Sequence, residues 1–135
     1  VLAICNKKSG TPGLSNGVSS DFRDLIAADE SGNEYAKDAL ETYAYRVAKY
    51  IGAYAVGMKG LDAVVFTAGV GENTIPIRKK ICEYLSIFDA KIDDEKNNIR
   101  GEEAIVSTDD SKVKIMVIPT NEELAIARET VALVK

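Results

Sequence analysis

The chain has 135 residues, 46% of them apolar and 28% charged, a composition that excludes disorder and gives room for one compact domain. Seventeen basic against twenty-one acidic side chains leave a net charge of -4, so no global field gathers polyanions: nucleic acid is excluded as the expected partner, and a phosphate-bearing ligand needs a local trap. The absence of histidine excludes Ser-His-Asp and Cys-His nucleophilic sites, His-ligated zinc and an imidazole base from this chain, leaving carboxylates, Arg, Lys, hydroxyls and backbone amides for chemistry.

The opening Val1-Leu2-Ala3-Ile4-Cys5 is too short for a signal peptide and lacks its basic start, and no stretch approaches the ~18 apolar residues of a spanning helix. The expectation is a soluble, cytoplasmic protein with no membrane contact. A start in mid-pattern at Val1 points to the C-terminal piece of a longer chain. Cys5 and Cys82 lie far apart in apolar-patterned segments and read as buried free thiols of a reducing compartment.

Residues 6–20, with Gly10, Pro12, Gly13 and Gly17, carry turn chemistry without apolar period and read as an ordered loop. Ser19 or Ser20 is the expected N-cap of a short helix through Asp24 to Asp29 that stops at Ser31-Gly32. A much longer helix begins near Asn33. Its apolar residues Ala36, Leu40, Tyr43, Val47, Ile51, Tyr54 and Met58 recur every three or four positions, one buried stripe ending at Gly60, with the tyrosines as packing.

Ala63 to Thr67 is a β-branched and aromatic strand, followed by the turn Ala68-Gly69-Val70-Gly71 and a helical period through Ile77, Ile81 and Leu85. Ile92 to Asp110 is polar, a hairpin or loop with one short strand at Ala104 to Ser107. Val113 to Ile118 forms a second buried strand, stopped by Pro119, and Thr120-Asn121-Glu122-Glu123 opens the final helix with a Thr-x-x-Glu capping box. Two strands that each feed a helix through a tight turn define an α/β layer, in which ligands sit beyond the carboxyl ends of the strands.

Three clusters at that edge suit a phosphorylated ligand. Gly69-Val70-Gly71-Glu72-Asn73 lets backbone approach a ligand closely and offers amides that favour anions, although glycines at such turns also serve sterics alone. It is neither the dinucleotide fingerprint, since Thr74 stands where a third glycine is needed, nor a Walker loop. Glu123 is explained as a cap. Glu122 is either a helix-dipole partner or, if phosphates lie near, a carboxylate for magnesium, which takes one or two carboxylates together with phosphate oxygens and waters. In Ser19-Ser20-Asp21-Phe22-Arg23-Asp24, an aspartate suits ribose hydroxyls and an arginine plane suits a purine or phosphate; first-turn charges and a core Phe22 explain the same residues.

Taken together, Asn6-Lys7-Lys8-Ser9-Gly10, Gly17-Val18-Ser19-Ser20-Asp21-Phe22-Arg23-Asp24, Phe66-Thr67-Ala68-Gly69-Val70-Gly71-Glu72-Asn73 and Pro119-Thr120-Asn121-Glu122-Glu123-Leu124 resemble, in that order and spacing, the C-terminal third of the acetate kinases. These belong to the acetate and sugar kinase, chaperone and actin superfamily. The resemblance implies an α/β, ribonuclease-H-like or actin-like ATPase domain, a mixed sheet flanked by helices, with residues 1–135 forming one nucleotide-binding C-terminal domain. It implies reversible phosphoryl transfer from ATP to acetate, giving acetyl phosphate and ADP, with Mg2+ required. Asp21, Phe22 and Arg23 are assigned to the adenosine pocket, Gly69, Val70, Gly71, Glu72 and Asn73 to the nucleotide-binding turn, and Glu122 to the metal.

The family's acyl pocket and catalytic residues lie in its N-terminal portion, so none is expected in this chain, which alone should be inactive. Homodimerisation through this domain is implied, with the long tyrosine-bearing helix a contributor. Propionate kinases share these motifs. Further alternatives are a non-catalytic dimerisation or nucleotide-binding module, which has no need of Arg23, Asn73 and Glu122 together, and a sugar or glycerol kinase, against which Pro119 to Glu123 argues.

Overall fold

The computed structural model describes residues 1–134. Its spine is the long helix α4 (Glu34–Met58), started by Asn33, whose Oδ1 accepts from the Ala36 N–H at 3.1 Å. It ends where Lys59 turns left-handed at φ 62° and the Gly60 N–H reaches back to the Ala55 carbonyl. The side chains that it buries are Leu40 and the alanines 36, 39, 44, 48 and 55. Small residues let neighbouring helices approach closely. The stripe expected to run to Met58 fades sooner: Tyr43, Val47 and Ile51 are partly buried, whereas Tyr54 and Met58 are 65% and 64% exposed, although Ala55 between them is buried.

Before it come α1 (Leu2–Lys7), α2 (Thr11–Leu14) and α3 (Phe22–Glu30). α2 is a single helical turn inside the stretch 6–20 read as a loop, and α1 ends at its start: Pro12 occupies a first-turn position, where a missing N–H costs nothing. All of α1 is exposed, so Cys5 is an exposed thiol rather than a buried one, while Cys82 is buried as expected. The cap of α3 is Asp21, not Ser19 or Ser20, since the Asp21 carboxylate accepts from the Arg23 N–H at 2.8 Å. Ser19 supports the cap instead: its Oγ accepts from the Asp21 N–H and donates to Asp24.

Three strands, β1 (Ala63–Phe66), β2 (Ala104–Ile105) and β3 (Lys114–Val117), form a mixed sheet in the order β1-β3-β2. β1 and β3 are parallel and β2 is antiparallel to β3. Val64 pairs with Ile115 and Phe66 with Val117, and all four side chains enter the core beside Leu25, Leu40, Ile77 and Ile81. The alternate residues do not: Val65 and Ile105 are 46% and 52% exposed, on either side of Met116 in the register. The strands expected to be buried therefore cover only one face among the described residues.

β1 leads into α5 (Ala68–Asn73) and α6 (Ile75–Tyr84), then a 3-10 turn at Leu85–Phe88, and β3 leads into α7 (Glu122–Val134). Ile77, Ile81, Cys82 and Leu85 face the core as the sequence period requires. The expected capping box is absent. Asn121 accepts from the Leu124 N–H at 3.0 Å, so Glu123 is one position too early to serve as its reciprocal partner, and Thr120 is engaged elsewhere. Because β1 and β3 are parallel, α5 and α7 both begin at one edge of the sheet. No helix among the described residues is long and apolar enough to cross a membrane.

Candidate functional site

A cleft of about 920 Å³ opens at that edge between the start of α3 and the turn after β1. Asp21, Phe22 and Arg23 of α3 and its cap line the cleft together with Gly69, Val70 and Asn73 of α5, and Thr74, Pro76 and Arg100 line it too. Two stretches nearly fifty residues apart in sequence thus share one concavity. Phe22 is fixed by packing, its ring edge-on to Tyr43 at 4.7 Å, and so presents a partly buried apolar wall. Arg23 is 89% exposed but not loose: its Nη2 donates to Asp21 at 2.5 Å and its Nε donates at 3.1 Å. These bonds hold the Asp21 carboxyl down at about 2.

The turn itself is helical. Ala68 takes φ 58°, left-handed for a residue with a Cβ, to swing the chain from β1 into α5, a conformation that costs ~1–2 kcal/mol. The two glycines that follow have different duties. A Cβ on Gly69 would meet nothing within 4 Å, because that position faces open space in the cleft. A Cβ on Gly71 would lie 3.1 Å from the Phe66 carbonyl carbon, so Gly71 lets α5 pack onto the end of β1 and does not line the cleft. Asn73 bonds back to the Gly69 carbonyl at 3.0 Å.

Glu122 and Glu123 lie in a second hollow of about 500 Å³, lined also by Ala68, Glu72, Thr120 and Asn121. Gly69 borders both hollows, so Arg23 and Glu122 open onto neighbouring recesses joined at the α5 turn, not onto unconnected surfaces. Glu72 faces this second recess rather than the cleft. Its Oε1 accepts from the Thr120 N–H at 2.7 Å and from the Thr120 hydroxyl at 3.0 Å, which keeps its carboxyl below the usual range. The described residues hold no group of three or more metal-ligating side chains. A cation held by Glu122 would have to bring most of its oxygens with it.

Two residues escaped the sequence reading. Arg100 lines the cleft and makes no ion pair among the described residues. Arg78 lies beneath, wholly buried, with every donor accepted by a neutral oxygen. The signal for Arg78 was its place on the buried face of α6, one residue from Ile77 and one helical turn from Cys82.

The chain is 62% identical over 131 residues to an acetate kinase of Carboxydothermus hydrogenoformans, covering 97% of this chain and 32% of that protein. The crystal structure of Porphyromonas gingivalis acetate kinase superposes with a TM-score of 0.89 at 44% identity, covering 99% of this chain and 34% of that one. A propionate kinase from Francisella tularensis gives 0.85 at 40% identity, covering 95% and 32%. The chain thus spans about a third of the length of the relatives it matches, and the likeness bears out the α/β, actin-like ATPase fold. The family model described as "Acetokinase family" matches residues 1–128, and so the chain belongs to the acetokinase family.

Proposed function

We propose that residues 1–135 form the nucleotide-binding C-terminal domain of a kinase that transfers the γ-phosphoryl group of ATP reversibly to acetate, giving acetyl phosphate and ADP. The observation that carries this reading is the convergence of Asp21, Phe22 and Arg23 with Gly69, Val70 and Asn73 on one cleft, of a volume usual for small-molecule sites. Phe22 and the Arg23 plane form the wall for the base, and Asp21, acceptor-only at neutral pH, both orients Arg23 and accepts from ribose hydroxyls. Gly69 leaves room for phosphates to approach the backbone, Val70 and Asn73 complete the wall, and Gly71 and Glu72 hold the turn in place.

Glu122 is assigned to Mg2+, directly or through water. The ion, when bound, neutralises phosphate charge during transfer. The remaining task is positioning, which suits a chain with an arginine, a glycine turn and carboxylates but no histidine. The catalytic groups and the acyl pocket are assigned to sequence outside these residues, so the isolated chain is expected to show no turnover.

The proposal includes a homodimer, supported by the exposed Tyr45, Tyr50, Tyr54 and Met58 along α4, and a cytoplasmic location, supported by two free cysteines. A propionate acceptor is the second reading, favoured by the likeness to a propionate kinase. Calorimetry with Mg-ADP and an acetate-dependent assay of the intact protein test the proposal. Binding and turnover by the intact protein are expected; neither at millimolar ligand leaves only the assembly module.

A further inference from the structure

Arg78 is the only fully buried charged side chain among the described residues. No carboxylate accompanies it there. Its Nε donates to Asn97 Oδ1 at 2.7 Å, Nη2 to the carbonyls of Asn97 and Ile99 at 2.7 and 2.8 Å, and Nη1 to the carbonyls of Gly71 and Glu72, both at 2.9 Å. A guanidinium has five N–H groups, and five neutral oxygens receive them. Asn97 is held in turn, its Nδ2 donating to the Ile75 carbonyl at 3.2 Å.

A buried charge without a counter-ion is expensive, and an apolar side chain between Ile77 and Ile81 would fill the core without that expense. What the guanidinium adds is a rigid planar fork. The acceptors fall into two sets. Gly71 and Glu72 lie in the last turn of α5, a helix of six residues that is too short to hold itself. Asn97 and Ile99 belong to an irregular segment that delivers Arg100 to the cleft. The Gly101 N–H adds one direct bond from this segment to the Glu72 carbonyl at 3.3 Å.

We propose that Arg78 is a positioning residue that sets the separation of α5 and the Asn97–Arg100 segment, so that Gly69, Asn73 and Arg100 line one nucleotide cleft. Burial is what chiefly disfavours the Arg78 charge, and the Arg100 charge adds a smaller repulsion. The proposal rests on the reading of the cleft as the nucleotide site.

The test compares the intact kinase with Arg78→Lys, which keeps the charge but loses the fork, and Asn97→Ala, which removes one acceptor and leaves Arg78 in place. The expected result for Arg78→Lys is a rise of about ten- to a hundredfold in the KM for ATP, with the KM for the acyl acceptor unchanged. Amide exchange should quicken in residues 69–73 and 97–101 while β1 and β3 stay protected; Asn97→Ala should show the same pattern, weaker, and decides the matter if Arg78→Lys does not fold. Loss of protection spread evenly through β1 and β3 overturns the proposal in favour of plain stability. So do variants indistinguishable from a parent that binds Mg-ADP. A parent that binds no Mg-ADP overturns the nucleotide reading, and the positioning role with it.

Discussion

Glu72 and Thr120, forty-eight residues apart, tie the turn after β1 to the turn after β3 through two hydrogen bonds onto one carboxylate oxygen. The two hollows therefore share a braced wall at the α5 turn, where Gly69 borders both. Glu72→Gln keeps an acceptor for Thr120, whereas Glu72→Ala keeps none. Amide exchange at Thr120 is expected to rise on the order of tenfold in the alanine variant and far less in the glutamine variant. Equal exchange in both would show that the brace is idle.

The glycines of α5 separate ligand access from packing. Gly69→Ala should leave thermal stability unchanged or raise it by about 0.5–1 kcal/mol, since alanine favours the helix and its methyl meets only open space, while Mg-ADP affinity falls about tenfold or more. Gly71→Ala should lower stability by about 1 kcal/mol, because its methyl presses on the backbone of Phe66. Melting curves and calorimetry on the same two variants check the pair, and the opposite pattern would reverse the assigned duties.

Acid should release the cap of α3 late. Asp21 is held at about 2, first by the side-chain bonds from Arg23 and then by the Arg23 N–H, against an ordinary value of 3.8. A carboxyl lower in the folded than in the unfolded state contributes stability that is complete above 3.8 and disappears as pH falls through 2. An NMR titration of the Asp21 carboxyl should give a midpoint near 2, moving toward 3.8 in Arg23→Ala. A midpoint near 3.8 in the parent would mean that the ion pair is not formed in solution.

Removal of the Glu122 carboxylate should act on metal and not on fold. Glu122 is exposed, and the cap of α7 comes from Asn121. Glu122→Ala in the intact kinase is expected to raise the Mg2+ concentration for half-maximal activity about tenfold, with a melting temperature within about 2 °C of the parent. An unchanged Mg2+ requirement would remove Glu122 from the metal site.

Local chemistry made much of the fold legible. Asn33 and Ser31-Gly32 bounded their helices as written, and β1, β3 and the core face of α6 followed from apolar runs and period. The failures came from interactions that one dimension cannot hold. Thr120 was read as a cap, but it is drawn away by Glu72, and Asn121 takes its place. Cys5 was read as buried because its neighbours are apolar, yet burial needs an opposing surface, and none lies over α1 among the described residues. Within the site, residue type singled out Asp21, Arg23 and Asn73; it could not show that Gly71 faces Phe66, or that Arg100 reaches the cleft from within the polar stretch 92–110.

The oxygens around Arg78 are amide oxygens, which neither gain nor lose a proton in the range where carboxylates do. A guanidinium stays charged throughout that range. The anchorage beneath the cleft is consequently blind to acidity: a drop in pH that unlocks the Asp21–Arg23 rim leaves the floor seated, and the lip can reassemble on it once the pH is back above 3.8.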